Sequence, residues 1–457
     1  MYTTYHFGKY RVVFVAICAN MMSFSIGAYM AWVSPVMPKL RNQSADSPLS
    51  YRVTATQEGW ISSMASIGAL AVPFFVGSLA NTIGRKWTLL LFSSFIAVSY
   101  IFLILTNDIW FIYLARFLQG FGGGGGAGVI PMYIGEIATD DTRGALGSLM
   151  TIFVISGNLY TYIIGPHVSY LTLQYCCMAV PVLFFVIFVF MPETPYHYAI
   201  KGQDANLINS LRILRGKSDI DVEQERIKIQ RDVDESMSNR SRIIDIFRNR
   251  TYRKALFITC GLLFFHEMSG ANAVTLYSQS IFMSADSFLD PAFATIILGV
   301  VQLISNFITP FAIERAGRKK TLYISSVGMA VPLIALGLFF YLKETNGLNI
   351  IWLPIPALML LKASYGFGFG PVPWALMGEM FPSNIKPNAM AIACALTWAV
   401  SFIVTRWFAE LYVLGAFYVF WLFGGFCVLA FFFVKVFVIE TKGLSLQKIQ
   451  EKLQKPK

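Results

Sequence analysis

The feature that most constrains this chain is a series of long apolar segments, because about 20 apolar residues in a helix can cross a lipid bilayer. Twelve segments approach or exceed this length: 12–35, 57–80, 87–106, 110–134, 144–165, 173–192, 254–282, 291–313, 320–341, 350–378, 387–409 and 412–438. Only helices and closed barrels satisfy their backbone groups in lipid. The pattern therefore predicts an all-α membrane protein with twelve transmembrane helices.

The overall composition agrees with lipid as the solvent of this chain. Of its 457 residues 56% are hydrophobic and 13% are charged, against about 25% charged in soluble domains. A net charge of +11 could indicate nucleic-acid binding, but the basic residues lie in short loops between apolar runs. That is how membrane proteins set their orientation. We therefore expect a bilayer and no nucleic acid as partner.

Basic residues on alternate loops place those loops, and both termini, on the cytoplasmic side. The expected organisation is a six-helix lobe over 1–200, a polar cytoplasmic linker with short amphipathic helices over 201–253, a second six-helix lobe over 254–441 and a cytoplasmic tail over 442–457. The first apolar run is longer than the roughly 7–15 residues of a signal-peptide core, so it is expected to be retained. Asn42 begins an N-glycosylation sequon in the first outward loop.

Short loop motifs recur in the two halves of the chain. Gly84-Arg85-Lys86 and Gly317-Arg318-Lys319 follow the second and the eighth segment. A Glu with a cation seven residues later follows the fourth and the tenth, as Glu136 with Arg143 and Glu379 with Lys386. Glu193 and Glu440 follow the sixth and the twelfth. Three matches in register indicate two parallel six-helix repeats, a standard transporter construction.

These charged residues are expected to form two clusters on one side of the membrane, one beneath each lobe. The gating candidates are Arg85, Glu136, Arg143 and Glu193 in the first half, and Glu314, Arg318, Glu379, Lys386 and Glu440 in the second. Ion pairs that break when one side opens would bias two conformations. The alternative is that these charges only set the topology.

A glycine-rich run, RFLQGFGGGGGAGVIP, begins at Arg116. A phosphate cradle would need a polar loop opening a helix, whereas Gly120, Gly124 and Gly128 recur every four residues in an apolar segment. The spacing predicts close helix packing. Arg116 itself is a functional, gating-class candidate because it lies in a membrane segment, the alternative being a side chain that reaches the membrane surface.

Polar residues within the second lobe predict a substrate site. His266 and Glu267 lie inside the seventh segment and Asn272 lies nearly two turns later, after Ser269-Gly270, which favours a helix break. An internal structural pair is the alternative for His266 and Glu267. Pro371 and Pro373 break the tenth segment just before Trp374. Broken helices mark transporter binding sites. Trp374 and Trp398 offer flat apolar faces of the kind that suit a sugar ring.

These motifs together resemble the sugar porter family of the major facilitator superfamily. The residues that carry the resemblance are GSLANTIGRK, RFLQGFGGG, PMYIGEIATDDTRG, PETP, MSGANAV, ERAGRKK, GPVPW and ETKGLSL. GFGPVPWALMGEMFP, SFIVTRWF and PETPYHYAIKG are similar to the insect facilitated trehalose transporter-like branch. The resemblance implies alternating access around one central site and sugar movement across the plasma membrane, by a protein that functions as a monomer without a cofactor.

The resemblance also implies a substrate-binding set: Thr151, Asn158, His266, Glu267, Asn272, Trp374, Thr397 and Trp398. Thr151 stands where glucose carriers have a Gln, His266-Glu267 replaces a Gln-Gln pair, and Thr397 replaces a common Asn. Proton-coupled members carry an Asp on helix one, where this chain has Ala28. A facilitator is therefore expected, with a proton-coupled symporter using Glu267 as the alternative. A sugar sensor that does not transport is a third reading. No catalytic or metal-binding constellation suggests an enzyme.

Overall fold

The structure is a computed structural model, which describes residues 2–42, 47–139, 141–215, 219–238, 243–348, 350–382, 384–444 and 446–454. These residues are helical or lie in turns and connections, and no strand occurs among them. Twelve spans are assembled from the helices, four of them from shorter helices separated by a break.

The first half contains spans 1 to 6. Span 1 is α1 (Tyr2–Ala31) with α2 (Val33–Arg41), and span 2 is α3 (Ala55–Leu70) with α4 (Val76–Ile83). Spans 3 to 6 are α5 (Arg85–Ile104), α6 (Ile109–Ile137), α7 (Arg143–Ile164) and α8 (Tyr170–Phe188). Four short helices follow between the halves: α9 (Pro195–Ile200), α10 (Asp204–Arg215), α11 (Asp219–Ser238) and α12 (Ile243–Arg248).

The second half contains spans 7 to 12. Span 7 is α13 (Arg250–Met268) with α14 (Ala271–Ser284), span 8 is α15 (Pro291–Ala316) and span 9 is α16 (Arg318–Asn346). Span 10 is α17 (Pro354–Ser364), a π-helical turn (Tyr365–Phe369) and α18 (Val372–Met380). Spans 11 and 12 are α19 (Lys386–Leu414) and α20 (Ala416–Val436), followed by the tail helix α21 (Leu446–Gln454).

The all-α prediction with twelve spans is confirmed, although the spans differ in how regular they are. Within the described residues, eight stretches are long and apolar enough to cross a membrane as a single span. Spans 7 and 10 are divided by breaks, span 2 is divided at Ala71–Phe75, and the glycines of span 4 lower its hydropathy.

The glycine-rich face of span 4 packs against span 2, as its four-residue spacing predicts. A Cβ added to Gly120 would lie 1.8 Å from the carbonyl oxygen of Ala65, and one added to Gly124 would lie 2.9 Å from the Cα of Ala69. Gly128 faces Val76 in the same row. Glycine is therefore required for the backbones of these two helices to approach so closely.

The bundle has two ends, which we call the linker face and the far face. The linker face carries the two Gly-Arg-Lys loops and helices α9 to α12, and the far face is the opposite end. The linker helices begin earlier than the predicted residue 201: Ala199 of α9 packs with Leu207 and Leu211 of α10 and with Val222 of α11. The tail helix α21 packs on spans 7 and 10, where Gln450 Nε2 donates to the carbonyl of Met380 at 2.6 Å.

The two lobes contact each other through spans 2 and 11, spans 5 and 8, and spans 1 and 7. The polar contacts between lobes lie in the halves of these spans nearer the far face. The Tyr277 hydroxyl donates to Ser62 Oγ at 2.7 Å, the Tyr162 hydroxyl donates to the carbonyl of Thr275 at 2.7 Å, and the hydroxyls of Ser34 and Ser278 lie 3.1 Å apart. The far face is therefore the closed side of the bundle.

Candidate functional site

Span 7 breaks where the sequence predicts. Gly270 has φ +72° and ψ 0°, a left-handed conformation that glycine adopts without strain. Ser269 lies before it and α14 starts after it, so Asn272 projects from the first turn of a new helix. The break brings Asn272 back beside α13, where its Nδ2 donates to Glu267 Oε1 at 3.0 Å.

His266 and Glu267 are both buried at this break, and His266 is held on two sides. Its Nδ1 lies 2.8 Å from the carbonyl oxygen of Phe369, and its Nε2 lies 3.0 Å from the hydroxyl of Tyr365. The same hydroxyl lies 3.3 Å from Asn272 Oδ1. Glu267 Oε1 is 3.7 Å from His266 Nε2, and Glu267 Oε2 is buried without a hydrogen-bond partner among the residues that the structure describes. These contacts join His266, Tyr365, Asn272 and Glu267 into one network.

Span 10 contributes to this network because its helix is irregular at the same depth. The sequence places the break at Pro371 and Pro373, and the structure adds a π-helical turn just before them, over Tyr365–Phe369. The wider turn directs both Tyr365 and the Phe369 carbonyl at His266. Trp374 follows with its ring edge-to-face to His266, at a centroid distance of 6.3 Å and an interplanar angle of 88°. The Trp374 side chain is 36% exposed, so its ring offers open apolar surface beside the network.

A buried lysine on span 10 supports the same region. Lys362 is 1% exposed, and its Nζ donates to the carbonyl of Ala271 at 2.7 Å and to Thr275 Oγ1. The ammonium also lies 5.8 Å from the ring centroid of Tyr365. Among the described residues no carboxylate pairs with Lys362. Lys362 therefore fastens the first turn of α14 to span 10.

The other predicted substrate residues are more dispersed. Asn158 on α7 is buried, and its Oδ1 has no hydrogen-bond partner within the described part of the chain. The Thr397 hydroxyl donates to the carbonyl of Ala393 in its own helix, at 2.8 Å. Trp398 is half-buried and Thr151 is exposed. The structure thus groups His266, Glu267, Asn272 and Trp374. Within the described ranges no hydrogen bond or ring contact joins Thr151, Asn158, Thr397 or Trp398 to them.

The first ion-pair cluster forms on the linker face, within the first lobe. Arg85 donates to Glu136 Oε1 through Nη2 at 2.8 Å and Nε at 3.0 Å. Thr194 Oγ1 donates to the other oxygen of Glu136 at 2.5 Å. The carboxylate of Glu193 accepts the backbone N–H groups of Arg85, Lys86 and Thr194 at 2.8–3.2 Å. Glu193 therefore caps the N-terminus of span 3, where an anion is favoured.

The second cluster repeats the same arrangement in the second lobe. Arg318 donates to Glu379 Oε1 through Nη2 at 2.7 Å, and Thr441 Oγ1 donates to Glu379 Oε2 at 2.6 Å. The Glu440 carboxylate accepts the backbone N–H groups of Arg318, Lys319, Thr441 and Lys442 at 3.0–3.1 Å. It therefore caps span 9 as Glu193 caps span 3.

The capping carboxylates differ in their electrostatic balance. Burial raises the pKa of Glu193 above its ordinary value, against the opposing effect of its backbone donors and Arg85. Glu440 is less enclosed: burial acts to raise its pKa, but the backbone N–H donors outweigh this and hold it below the ordinary value. Beside the first cluster, burial and then the charges of Arg85 and Lys201 lower the pKa of His197 to about 4.

The remaining gating candidates lie at or near these clusters, with one exception. Lys386 Nζ lies 3.5 Å from where a Cβ on Gly378 would sit, next to Glu379. Arg143 is exposed at the start of α7; burial raises the pKa of the Tyr196 hydroxyl on α9 to about 12, and the charge of Arg143 opposes this increase. Glu314 is exposed in the last turn of α15 and takes no part in the hydrogen bonds of the second cluster.

Arg116 lies apart from both clusters, and it does not reach the membrane surface. It is 1% exposed and donates to the carbonyls of Tyr29 at 2.7 Å and Ile61 at 3.2 Å. Its guanidinium also stacks 5.5 Å from the ring centroid of Trp32. Arg116 therefore joins spans 1, 2 and 4 inside the first lobe. The alternative reading, a side chain that reaches the membrane surface, is wrong, because carbonyl oxygens within the bundle accept its hydrogen bonds.

Two other expectations concern the surface and metals. Asn42 lies at the C-terminal end of α2 on the far face, and Gln43 and Ser44 of its sequon are outside the described residues. Across the described ranges no group of three or more His, Cys, Asp or Glu is arranged to hold a metal ion.

Sequence reasoning missed several residues of these sites. Thr194 and Thr441 have a readable signal, because each follows the repeated Glu in PET and IET. Lys362, as a lysine inside an apolar segment, has the same signal that singled out Arg116. Tyr365 and Tyr277 have no such signal, since one aromatic residue among many in apolar segments does not reveal which hydroxyl finds a partner.

Comparison with known proteins places the chain in a family. A family model described as "Sugar (and other) transporter" matches residues 12–453. "Facilitated trehalose transporter Tret1" of Culex quinquefasciatus is 34% identical over 445 residues, which cover 96% of this chain and 85% of the relative. The protein of the same name from Apis mellifera ligustica is 34% identical over 96% of this chain and 88% of its own length.

Solved structures agree on the fold. The inward-open xylose transporter XylE from E. coli superposes with a TM-score of 0.80 at 22% identity, covering 96% of this chain and 99% of XylE. The nucleoside transporter NupG superposes with a TM-score of 0.63 at 15% identity, over 93% of this chain and all of that structure. With two matched ion-pair clusters, broken spans around a buried polar network and a family match over nearly its whole length, the chain belongs to the sugar transporter family and is a transporter, not an enzyme.

Proposed function

We propose that this protein is a facilitative carrier of a hexose or of a disaccharide such as trehalose, working by alternating access in the plasma membrane. The observation that supports this most is the polar network His266–Tyr365–Asn272–Glu267 beside the open ring of Trp374. It lies where two broken spans meet, which is where transporters bind their substrates. The names of its relatives in Culex and Apis suggest trehalose as the first sugar to try.

The network suits a neutral polyol better than an ion. Asn272 keeps one N–H that its bond to Glu267 does not use. Asn158, buried on α7 in the other lobe, offers an acceptor oxygen that has no partner among the described residues. Trp374 supplies a face on which the C–H side of a sugar ring can lie. A transported sugar would thus exchange its water hydrogen bonds for these groups, and its apolar side would rest on the indole.

The linker face is proposed to be cytoplasmic, together with both termini. Lys86, Arg143, Arg318 and Lys386 all lie at that face, and positive residues mark the cytoplasmic loops of membrane proteins. The far face would then be extracellular and carries Asn42, which is proposed to be glycosylated. Since the lobes meet at the far face, the conformation described here would be open toward the cytoplasm.

Facilitation is preferred to proton symport because the first span has Ala28 where an acid would carry the proton. Ala28 is buried, and its carbonyl accepts the Thr161 hydroxyl at 3.0 Å within the first lobe. Glu267 is the residue on which a symport mechanism would depend. The alternative of another class is a sugar sensor that does not transport, which a flux measurement distinguishes from a carrier.

Flux through reconstituted vesicles tests the proposal. Purified protein should equilibrate labelled trehalose or a hexose across the vesicle membrane, and a panel of sugars would identify the substrate. With equal sugar on both sides, an inward proton gradient should produce no net accumulation. Accumulation that a protonophore abolishes and that Glu267→Gln removes would instead establish symport. Binding of a sugar without flux of any sugar would establish a sensor.

Two substitutions test the location of the site. Trp374→Ala removes the stacking face, and Asn272→Ala removes hydrogen bonds worth about 0.5–1.5 kcal/mol each. Each should therefore raise KM several-fold while surface expression is retained. Trp352→Ala is a matched control, because this tryptophan is 59% exposed before α17 and outside the network. Wild-type KM in both site variants would place the substrate elsewhere.

A further inference from the structure

The four-residue network imposes a condition on its hydrogen atoms. The Phe369 carbonyl can only accept, so His266 Nδ1, 2.8 Å away, must carry a hydrogen. Three contacts then follow in series: His266 Nε2 to the Tyr365 hydroxyl at 3.0 Å, this hydroxyl to the Asn272 amide at 3.3 Å, and the amide to Glu267 Oε1 at 3.0 Å. The tyrosine has one hydrogen to donate, and the amide presents its oxygen to one neighbour and its nitrogen to the other.

When His266 is neutral, only one set of donors and acceptors satisfies these three contacts. Nε2 then has only a lone pair, so Tyr365 must donate its hydrogen to it and can only accept from Asn272. The amide must accordingly turn its NH2 group toward Tyr365 and its oxygen toward Glu267. An ionised Glu267 has no hydrogen to give that oxygen, so the last contact is satisfied only when Glu267 is protonated.

When Glu267 is ionised, the donor and the acceptor of each of these contacts are exchanged. Asn272 then donates to the carboxylate and turns its oxygen to Tyr365, which donates to it. The tyrosine oxygen must accept from His266 Nε2, which requires the imidazole to be protonated on both nitrogens. Both satisfied arrangements contain one proton more than neutral histidine with ionised glutamate, and that proton-free state leaves two lone pairs facing each other in a buried site, which is costly.

From this count we propose that His266, Tyr365, Asn272 and Glu267 form a proton-binding site, which holds one proton shared between His266 and Glu267 while the far face is closed. Tyr365 is the positioning residue that connects the two ends. The proton fixes the orientation of Asn272, so its loss weakens sugar binding. This inference rests on the proposed function and deepens it: the proton is a bound component of the sugar site and need not be transported.

Lys362 on span 10 is the titratable group next to the network, with its Nζ 5.8 Å from the ring centroid of Tyr365. Span 11 presents Ser401 and Thr397, which do not titrate. The other titratable groups on the elements packed against α13 lie at span ends, in the short helices, or are tyrosines and cysteines: Asp245, Arg248, Tyr277, Glu379, Lys386, Cys394, Arg406, Glu410, Tyr412, Tyr418, Cys427, Lys435, Lys448, Glu451 and Lys452.

Equilibrium exchange of labelled sugar, with the same pH on both sides of the vesicle, tests the proposal. Between about pH 5 and about pH 9, a range around the ordinary histidine value, KM should rise several-fold toward alkaline pH with little change in kcat. Glu267→Gln and Tyr365→Phe should each make KM independent of pH. The first replaces the shared proton by a permanent amide hydrogen, and the second removes the hydroxyl that connects His266 to Asn272 and Glu267. A wild-type KM that does not vary, or a variation retained in Glu267→Gln, would overturn the proposal.

A control variant sharpens this test. His167→Gln alters an exposed histidine in the loop after span 5 and should keep the wild-type profile. A profile that changes as much in His167→Gln as in Glu267→Gln would contradict the assigned site.

Proton counting separates this inference from the transport proposal. Titration of purified protein from neutral to alkaline pH should release one proton more from wild type than from Glu267→Gln, and the wild type alone should show the infrared C=O band of a protonated carboxyl in part of its population. Equal proton release and no band would refute the proton site even if sugar flux is normal. If no sugar exchanges at any pH, the transport proposal fails, but the number of protons released still decides whether the proton site exists.

Discussion

At the scale of single residues, Gly84 shows why the Gly-Arg-Lys loop begins with a glycine. Its φ of +100° with ψ 158° belongs to a region that only glycine occupies easily. A Cβ there would also lie 2.2 Å from Glu193 Oε2. Gly317 has φ +86°, and its Cβ would meet Glu440 in the same way at 2.7 Å. Each glycine therefore lets a carboxylate reach the first N–H groups of the following span.

We expect Gly84→Ala to destabilise the first lobe by about 1–3 kcal/mol from backbone strain alone. The thermal unfolding midpoint of purified protein should fall, and flux per molecule should fall as the cap on span 3 is displaced. Gly135→Ala is the matched control, since it neighbours Glu136 but has no atom within 4 Å of its Cβ position. Equal midpoints for the two variants would show that the cap does not need glycine.

The two arginine–glutamate pairs provide a second prediction. The side chains of Arg85 and Glu136 are 4% and 15% exposed, whereas those of Arg318 and Glu379 are 21% and 28% exposed. Removing one partner of a buried pair leaves the other charge uncompensated, and water screens the exposed pair better. Glu136→Gln should therefore lower maximal flux several-fold at normal surface expression, and Glu379→Gln should lower it less. Unchanged maximal flux in Glu136→Gln would exclude a gating role.

At the scale of elements, close helix contact at the far face sets the lobe arrangement. A Cβ on Gly59 of span 2 would lie 2.3 Å from the carbonyl oxygen of Arg406 on span 11. Gly59→Ala should therefore force these spans apart and favour opening of the far face. Labelling of Ser62→Cys by a membrane-impermeant maleimide from that side should become faster. Gly77→Ala, whose Cβ position is open, is the control. Equal labelling rates in the two variants would show that a side chain at residue 59 does not force spans 2 and 11 apart.

The elements also show how far sequence reasoning extends. Span existence follows from apolar length, and the close packing of Gly120 on span 2 follows from four-residue spacing, because both depend on local composition. The break at Gly270 was readable from its residue type. The π-helical turn before Pro371 was not, since it depends on what Tyr365 and the Phe369 carbonyl find on span 7. Partners on another span leave no periodicity in the sequence.

At the scale of the whole molecule, the linker helices are part of the first lobe's linker face. Ser210 Oγ donates to the carbonyl of Glu193 at 2.7 Å, and Arg215 donates to the carbonyl of Ile137 at 2.6 Å. His197 of α9 is buried beside Gly84 and the first cluster, and its Nδ1 has no hydrogen-bond partner in the described structure. Movement of the first lobe should therefore carry α9 and α10 with it.

This enclosure predicts a pH dependence of stability. Burial, Arg85 and Lys201 hold the pKa of His197 at about 4, against an ordinary value of 6.5. Between these values the unfolded chain binds a proton that the folded chain does not, so this contribution to stability is full above about pH 6.5 and declines as pH falls toward 4. The unfolding midpoint of His197→Gln should fall less over this window than that of wild type. Parallel midpoints for both proteins would contradict this assignment.

The repeated clusters also impose an order on biosynthesis. The last member of the first cluster is Thr194, so that cluster can close while the second half is still on the ribosome, and N-terminal domains generally fold first during synthesis. The last member of the second is Thr441, which is made only after span 12. A nascent chain that stops at Ile439 would contain every span and a complete first cluster, yet neither the cap of span 9 nor α21. The second lobe is thus the half whose ion-pair cluster cannot close until Thr441 has been made.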